Sequence, residues 1–276
     1  MKTTTNHFCV RLAVSAALLF LFCIGRASAQ SDYTAITVEN GGTISGTVKW
    51  SGPVPKAPKL PITKDSKVCD PESHKTRDLE RLLVDTDGGV ANTVVFLKDI
   101  SQGKAMDLPD AHQYLDQKNC RYVPHIMLIP QGSSLQAKSS DPVLHTVHMT
   151  GVASNNIPFP MQNQTISIHL DHNGVVELKC NAGHVWMNAE ILVVKNPYYA
   201  VTDEHGFFRL TDVPPGKYEI EAWHEGWQNM SAETVLDVAA QVKVQRPIYS
   251  PPESWAKKVN VKPGETSEIN FSISAK

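Results

Sequence analysis

An excess of positive charge is missing from this sequence: 26 Lys and Arg stand against 28 Asp and Glu, for a formal charge of −2. No basic stripe therefore points to nucleic acid. Beyond residue 29 no apolar run is long enough to span a bilayer as a helix, and no segment carries the periodicity of a long amphipathic helix. Ser-His-Asp order, a paired-carboxylate motif and a glycine-rich phosphate loop are also missing, which argues against hydrolytic and phosphoryl-transfer chemistry. Cysteine is sparse, with 5 in 276 residues.

What is present begins with an export signal. Lys2 and Arg11 give a positive end, Leu12 to Ile24 an apolar core, and Ala27-Ser28-Ala29 a cleavage site before Gln30. Phe22 stands before Cys23 where a lipoprotein signal places a small residue, so lipidation is not expected. The remaining chain, expected in the periplasm or outside the cell, is long enough for two modest domains. It keeps Cys69, Cys120 and Cys180. In an oxidising compartment two cysteines pair and the third needs a role. A Cys69–Cys120 disulfide is expected, with free buried thiols as the alternative.

Short apolar alternations separated by Gly, Pro, Asn and Asp recur along the chain, the pattern of an all-β protein. Strands are expected at Thr43 to Trp50, Ala91 to Leu97, Arg121 to Ile129, Ser134 to Ala137, Ile166 to Leu170, Ile191 to Val194, Phe207 to Leu210 and Lys217 to Trp223. Two more close the chain around a Pro263-Gly264 turn. Pro53 to Glu80 reads as a surface loop tethered at Cys69, and Arg246 to Pro252 as a Pro-rich link.

The chemistry concentrates in the run from Val175 to Met187. Val176, Leu178 and Cys180 alternate with Glu177 and Lys179, so Cys180 faces inward at a strand's end. Asn181-Ala182-Gly183 supplies a turn, and His184 and Met187 follow. One thiolate, one imidazole and one thioether need a second histidine to complete a metal site. His145 shares a face with Val147 and Met149 and is the inward candidate, whereas His148 lies with Thr146 and Thr150. His125 reads as a histidine within a sheet. A His2Cys set with a weak Met suits one copper ion cycling between Cu(I) and Cu(II), and zinc rarely takes Met. Trp186 fits core packing and partner docking equally well. The run Trp223-His224-Glu225-Gly226-Trp227 reads as packing at a strand end, and Asn163 and Asn229 begin glycosylation acceptor patterns.

From about Gln117 to Lys195 the chain resembles the cupredoxins, the Greek-key copper sandwiches that include plastocyanin, amicyanin and azurin. The likeness lies in motif order: Tyr122-Val123-Pro124 to Gly132, then Ser140-Asp141-Pro142-Val143-Leu144-His145, then Cys180, His184 and Met187. The spacing here is Cys-x3-His-x2-Met. Amicyanin-like loops have one residue fewer before the histidine, and plastocyanin-like loops two more before the Met. The second half of a binuclear copper loop shares the spacing, but its other cysteine is missing. The rest of the chain resembles a carboxypeptidase regulatory-like, or transthyretin-like, sandwich through Gly46-Thr47-Val48, Thr202 to Phe208 and Val213 to Tyr218.

These resemblances imply a cupredoxin, residues 101–197, inserted between residues 30–100 and 198–276 of the other sandwich. A tandem with 30–100 as an extra arm is the alternative. They also imply an exported electron carrier rather than an enzyme, with His145, Cys180, His184 and Met187 on copper. His184, beside Trp186, would reach the surface as the electron port to a redox partner protein. A secreted binding module, and a red-copper enzyme or copper store with an open ligand position, are the other readings.

Overall fold

The computed structural model describes residues 33–56, 59–107, 113–237 and 240–274; the expected signal segment lies outside them. Their backbone is almost entirely strand, and Ser66–Cys69 is the only α-helix among the described residues. No described helix is long and apolar enough to cross a membrane.

The middle of the chain forms two facing sheets. One has five strands in the order Asn155–Phe159, His145–Gly151, Gly174–Lys179, Asn188–Val194 and Ile126–Pro130. The other has four, in the order Thr165–Leu170, Ser133–Ser139, Tyr114–Gln117 and Tyr122–Val123. Alternate residues close one core between them: Leu135 and Ala137, Val147 and Met149, Val176 and Leu178. That is the two-residue period of a half-buried strand meeting a partner sheet.

Two strands break that alternation, and the reason is layering. Ile126–Pro130 and Asn188–Val194 pair in parallel at the edge of the five-stranded sheet. Met127, Ile129, Ile191 and Val193 enter the core just described, while Ile126, Leu128, Leu192 and Val194 enter another on the opposite face. Both faces are dry, so Ile126–Pro130 and the Ile191 to Val194 part of its partner read as unbroken apolar runs.

The second sandwich draws strands from both sides of the first. Gly42–Trp50 pairs with Phe207–Val213 and, in parallel, with Thr266–Glu268 and Phe271–Ile273. Val94–Leu97 pairs with Tyr199–Val201 and Gly216–His224, and Gly216–His224 with Glu253–Val261. Ile44, Val48, Phe208, Ile220, Val259 and Phe271 share its core. Gly46 is required by close approach: a Cβ there would lie 1.8 Å from the Ile269 carbonyl oxygen. The repeated turn motifs also have local causes. Asp203 Oδ1 accepts from the His205 and Phe207 N–H groups, both at 2.9 Å, and the Tyr218 hydroxyl donates to the Pro214 carbonyl at 2.8 Å.

Two strand expectations need correction. Arg121 to Ile129 is two strands in different sheets: Tyr122–Val123 pairs with Tyr114–Gln117, whereas Ile126–Pro130 crosses to Asn188–Val194. The Arg246 to Pro252 link belongs largely to a strand, Val242–Tyr249, paired with Asn229–Asp237 in a long hairpin. Much of that ribbon is exposed, Met230, Leu236, Val242 and Ile248 included. With no single buried face it carries no hydrophobic alternation to read. The Pro53 to Glu80 loop is an arm, held by a two-residue ladder between Leu60–Pro61 and Thr76–Arg77 and by a Cys69–Cys120 disulfide.

Where the sandwiches meet, the Trp223 to Trp227 run does more than pack. Trp227 sits edge-on to Trp50 at 5.5 Å. Glu225, fully buried, ion-pairs with Arg81 at 2.8 Å and takes a hydrogen bond from His125. Arg81 lies 4.1 Å over the Tyr249 ring. Glu190 faces this group across the seam, and burial, together with Glu225 and Glu177, pushes its carboxyl up to about 9.

Two outcomes follow from the seam and the tether. Folded Glu190 keeps its proton up to about pH 9, whereas the unfolded chain loses it near 4.5. The native state binds the extra proton in that window, so this group's contribution to stability falls as pH rises through it. Glu190→Gln is expected to be more stable than the parent by about 1–3 kcal/mol at pH 7. Urea titrations at pH 5 and pH 8 check this, the gain being larger at pH 8. The disulfide closes a loop of sequence separation 51, so replacing Cys69 and Cys120 together with Ala should cost about 2–5 kcal/mol in the same assay.

Candidate metal centre

The donor residues sit at one end of the first sandwich, where a strand begins and another ends. His145 opens the strand His145–Gly151, and Cys180 follows the strand Gly174–Lys179; the two strands are antiparallel neighbours. Alternation turns His145 inward with Val147 and Met149 and leaves His148 only partly buried. The loop from Cys180 then folds under itself: Asn181 N–H donates to Thr146 Oγ1 at 2.6 Å and Met187 N–H to the His184 carbonyl at 2.9 Å. Gly183 has φ +87°, and a Cβ there would lie 2.1 Å from Asp237 Oδ2. Only glycine fits both the backbone and the space.

Three donor atoms converge. His145 Nδ1 lies 3.2 Å from His184 Nδ1, and Cys180 Sγ lies 3.7 Å from His184 Nδ1. Ligand atoms of His145, Cys180 and His184 all fall within 4.8 Å of one another. All three residues are fully buried, and Met187 packs in the same core. Cys180 is a free thiol.

The other nitrogen of each imidazole is occupied by a carboxylate. His145 Nε2 is 2.9 Å from Asp141 Oδ2, and His184 Nε2 is 2.9 Å from Asp65 Oδ2. A carboxylate accepts, so in each neutral ring Nε2 carries the proton and the Nδ1 lone pair points into the cluster. This is the arrangement in which an outer carboxylate orients a ligating histidine. Asp141 is itself fixed, accepting from the N–H groups of Asn119 at 2.8 Å and Cys120 at 2.7 Å. Burial raises its carboxyl, but His145 and those N–H groups outweigh it and hold the carboxyl below the ordinary range.

The electrostatics fit a cation. Burial opposes ionisation of Cys180, yet its contacts with His145 and His184 hold the thiol well below its ordinary value. Burial also pulls His145 down, but Asp141 and Cys180 push it up to about 9. Before a metal binds, the cluster thus holds a thiolate beside a protonated His145, and a soft cation entering it would displace that proton.

A lid from the second sandwich covers the cluster. Its arm contributes Asp65, and the long hairpin contributes Arg246, whose Nη2 donates to the Cys180 carbonyl at 2.8 Å and to Asn181 Oδ1 at 2.9 Å. Lys64 and Asp237, paired at 2.7 Å, join arm to hairpin. The Cys69–Cys120 disulfide abuts the site, both sulfurs lying within 4.8 Å of a ring nitrogen of His184.

The surface position expected for His184 is therefore corrected. Its ring is fully buried under the arm, and Trp186, 2% exposed, stands edge-on to it at 5.4 Å and donates Nε1–H to the Cys120 carbonyl. Trp186 is core packing rather than a docking aromatic. His125 lies in the seam against Glu225, away from the cluster. Sequence reasoning missed Asp65, Arg246 and Asp237, which reach the site from sequence-distant segments. Asp141 was visible in the Asp-Pro turn, four residues before His145, but its role was not.

Of the comparisons with known proteins, the family model agrees with the β-sandwich architecture. A family model described as BOS complex subunit NOMO1-like, second beta sandwich domain, matches residues 195–248. No curated protein matches the chain. Among solved structures the chain is similar to a reduced variant of amicyanin, with 20% identity over 32% of this chain and 87% of that one and a TM-score of 0.28. It is also similar to a purple cupredoxin from Nitrosopumilus maritimus, with 22% identity over 26% and 81% and a TM-score of 0.25. A Cu-containing nitrite reductase from Thermus scotoductus shares 15% identity over 36% of this chain and 25% of that one, at a TM-score of 0.27. Likenesses this weak carry no argument about function.

The lid generates its own prediction. Arg246 is 5% exposed and satisfies the Cys180 carbonyl, whereas its partner Glu233, 3.9 Å away, is only half-buried. Arg246→Met should lower the unfolding free energy by about 1–3 kcal/mol, and Glu233→Ala by less than about 1 kcal/mol. Denaturant midpoints of the two variants measure the difference.

Proposed function

We propose that the chain is an exported mononuclear copper protein that takes up and releases single electrons. The observation that carries this reading is the convergence of two imidazole Nδ1 atoms and one thiol in a dry core, each imidazole held from behind by a carboxylate. Cys180, His145 and His184 would hold the ion, with Met187 as a weaker sulfur ligand. Thiolate with thioether selects copper over zinc. Copper would supply the one-electron couple between Cu(I) and Cu(II).

The chain's own residues do the rest. His145 and His184 are locked at both nitrogens, so little has to reorganise when an electron arrives or leaves. Full burial of the donors excludes water and argues against a site with an open coordination position, as a copper enzyme or store would need. Electrons must then cross the lid, so a redox partner would dock on the second sandwich's arm and hairpin rather than on His184. A binding module with a structural metal is the second reading, favoured by the exposed apolar residues Met230, Leu236, Val242 and Ile248 of the hairpin.

The test is a Cu(II) titration of the chain from Gln30 onward beside Cys180→Ser, recording visible spectrum and metal content. An intense thiolate-to-copper band saturating at one equivalent, lost in the variant, is the expected result. No band in either protein sinks the electron-carrier reading and leaves the binding module.

A further inference from the structure

Among the described residues of the arm, Asp65 makes the polar contact to the cluster, and its geometry is unusual for its position. It stands at the N-terminal boundary of Ser66–Cys69, where an aspartate ordinarily caps the helix through its side chain. Here the side chain makes no capping hydrogen bond. The carboxylate instead reaches His184 Nε2 at 2.9 Å. The backbone of Asp65 lies in the left-handed region, φ 48° and ψ 38°, a conformation that non-glycine residues adopt at a cost and that persists where the surroundings impose it.

The surroundings do impose it. Four residues on, Cys69 is bonded to Cys120. Cys120 N–H donates to the same Asp141 oxygen that faces His145, and the Cys120 carbonyl accepts from Trp186. One residue before, Lys64 is clasped by Asp237 of the hairpin, at 2.7 Å and 3.0 Å to its two oxygens. The arm thus delivers one carboxylate to one imidazole from a fixed point on either side of it.

We propose that Asp65 is a positioning residue that fixes His184 as the Nε2–H tautomer with Nδ1 aimed at Cys180, so that docking of the arm completes the metal site of the other sandwich. The part concerning copper rests on the function proposed above; the part concerning the tautomer does not. A carboxylate behind a ligating imidazole makes that imidazole a better donor and favours the more highly charged ion, and losing such a partner typically costs tenfold to a hundredfold in metal affinity.

The experiment compares the parent with Asp65→Asn, Asp65→Ala and Asp65→Glu. In the metal-free proteins, long-range nitrogen–proton NMR reads the His184 tautomer. In the copper-loaded proteins, competition titration reads Cu(II) affinity and spectroelectrochemistry the reduction potential. Asp65→Ala should change His184 from one tautomer to a mixture, weaken Cu(II) binding tenfold to a hundredfold and raise the potential. A tenfold loss confined to Cu(II) equals about 59 mV for one electron. Asp65→Asn, nearly isosteric, should keep the unfolding midpoint while shifting affinity and potential the same way, and Asp65→Glu should recover part of each. Unchanged tautomer, affinity and potential in all three would overturn the proposal. A parent that shows no thiolate-to-copper band, with a tautomer that still depends on Asp65, keeps the positioning role and sinks the copper reading.

Discussion

Two imidazoles and a thiolate cannot be packed together away from water without something to hold them there. In this protein the holding is done from behind, by Asp141 on His145 and Asp65 on His184. Each carboxylate settles which nitrogen carries the proton, and so which way the other points. Most of what surrounds the cluster serves those two contacts: backbone N–H groups fix Asp141, and a disulfide and an ion pair fix the segment bearing Asp65.

The fold explains how contacts from such distant parts of the sequence meet. The first sandwich offers its strand ends as a platform, and the second wraps one flank of it through the shared apolar layer of Val94, Ile126, Leu128, Leu192 and Val194. That layer brings the arm before it and the hairpin after it to the same end of the platform. The polar knot of Arg81, His125 and Glu225 lies along the same seam. A buried charged network adds little net stability over an apolar one, but breaking it leaves an unpaired buried charge. A docking register that separated these partners would carry that cost.

What could be read from the sequence was whatever has a period or a local turn. The alternation of Val176, Leu178 and Cys180, and of His145, Val147 and Met149, matches the faces those residues take. The Asp203 and Tyr218 turns have short-range causes and were legible for the same reason. Residues acting across sandwiches were not. Asp65 lies 119 positions from His184 and Arg246 lies 66 from Cys180, and nothing local marks either as a partner. The hairpin was missed because a ribbon exposed along much of its length has no apolar rhythm, and the exposure of His184 was misjudged because burial there is imposed by another part of the chain.

The parallel ladder between Gly42–Trp50 and the closing strands Thr266–Glu268 and Phe271–Ile273 sets an order of events. A parallel pair gains nothing until both members are present, and this pair spans nearly the whole described chain, so loop-closure entropy delays it. The first sandwich is contiguous in sequence and can assemble its donors earlier, while the lid hangs on a sandwich that closes only when the C-terminal strands arrive. The cluster is thus open to solvent during assembly and sealed at its end. Any ion held there would enter as a folding event, and in the finished molecule its exchange would be limited by how often the lid opens.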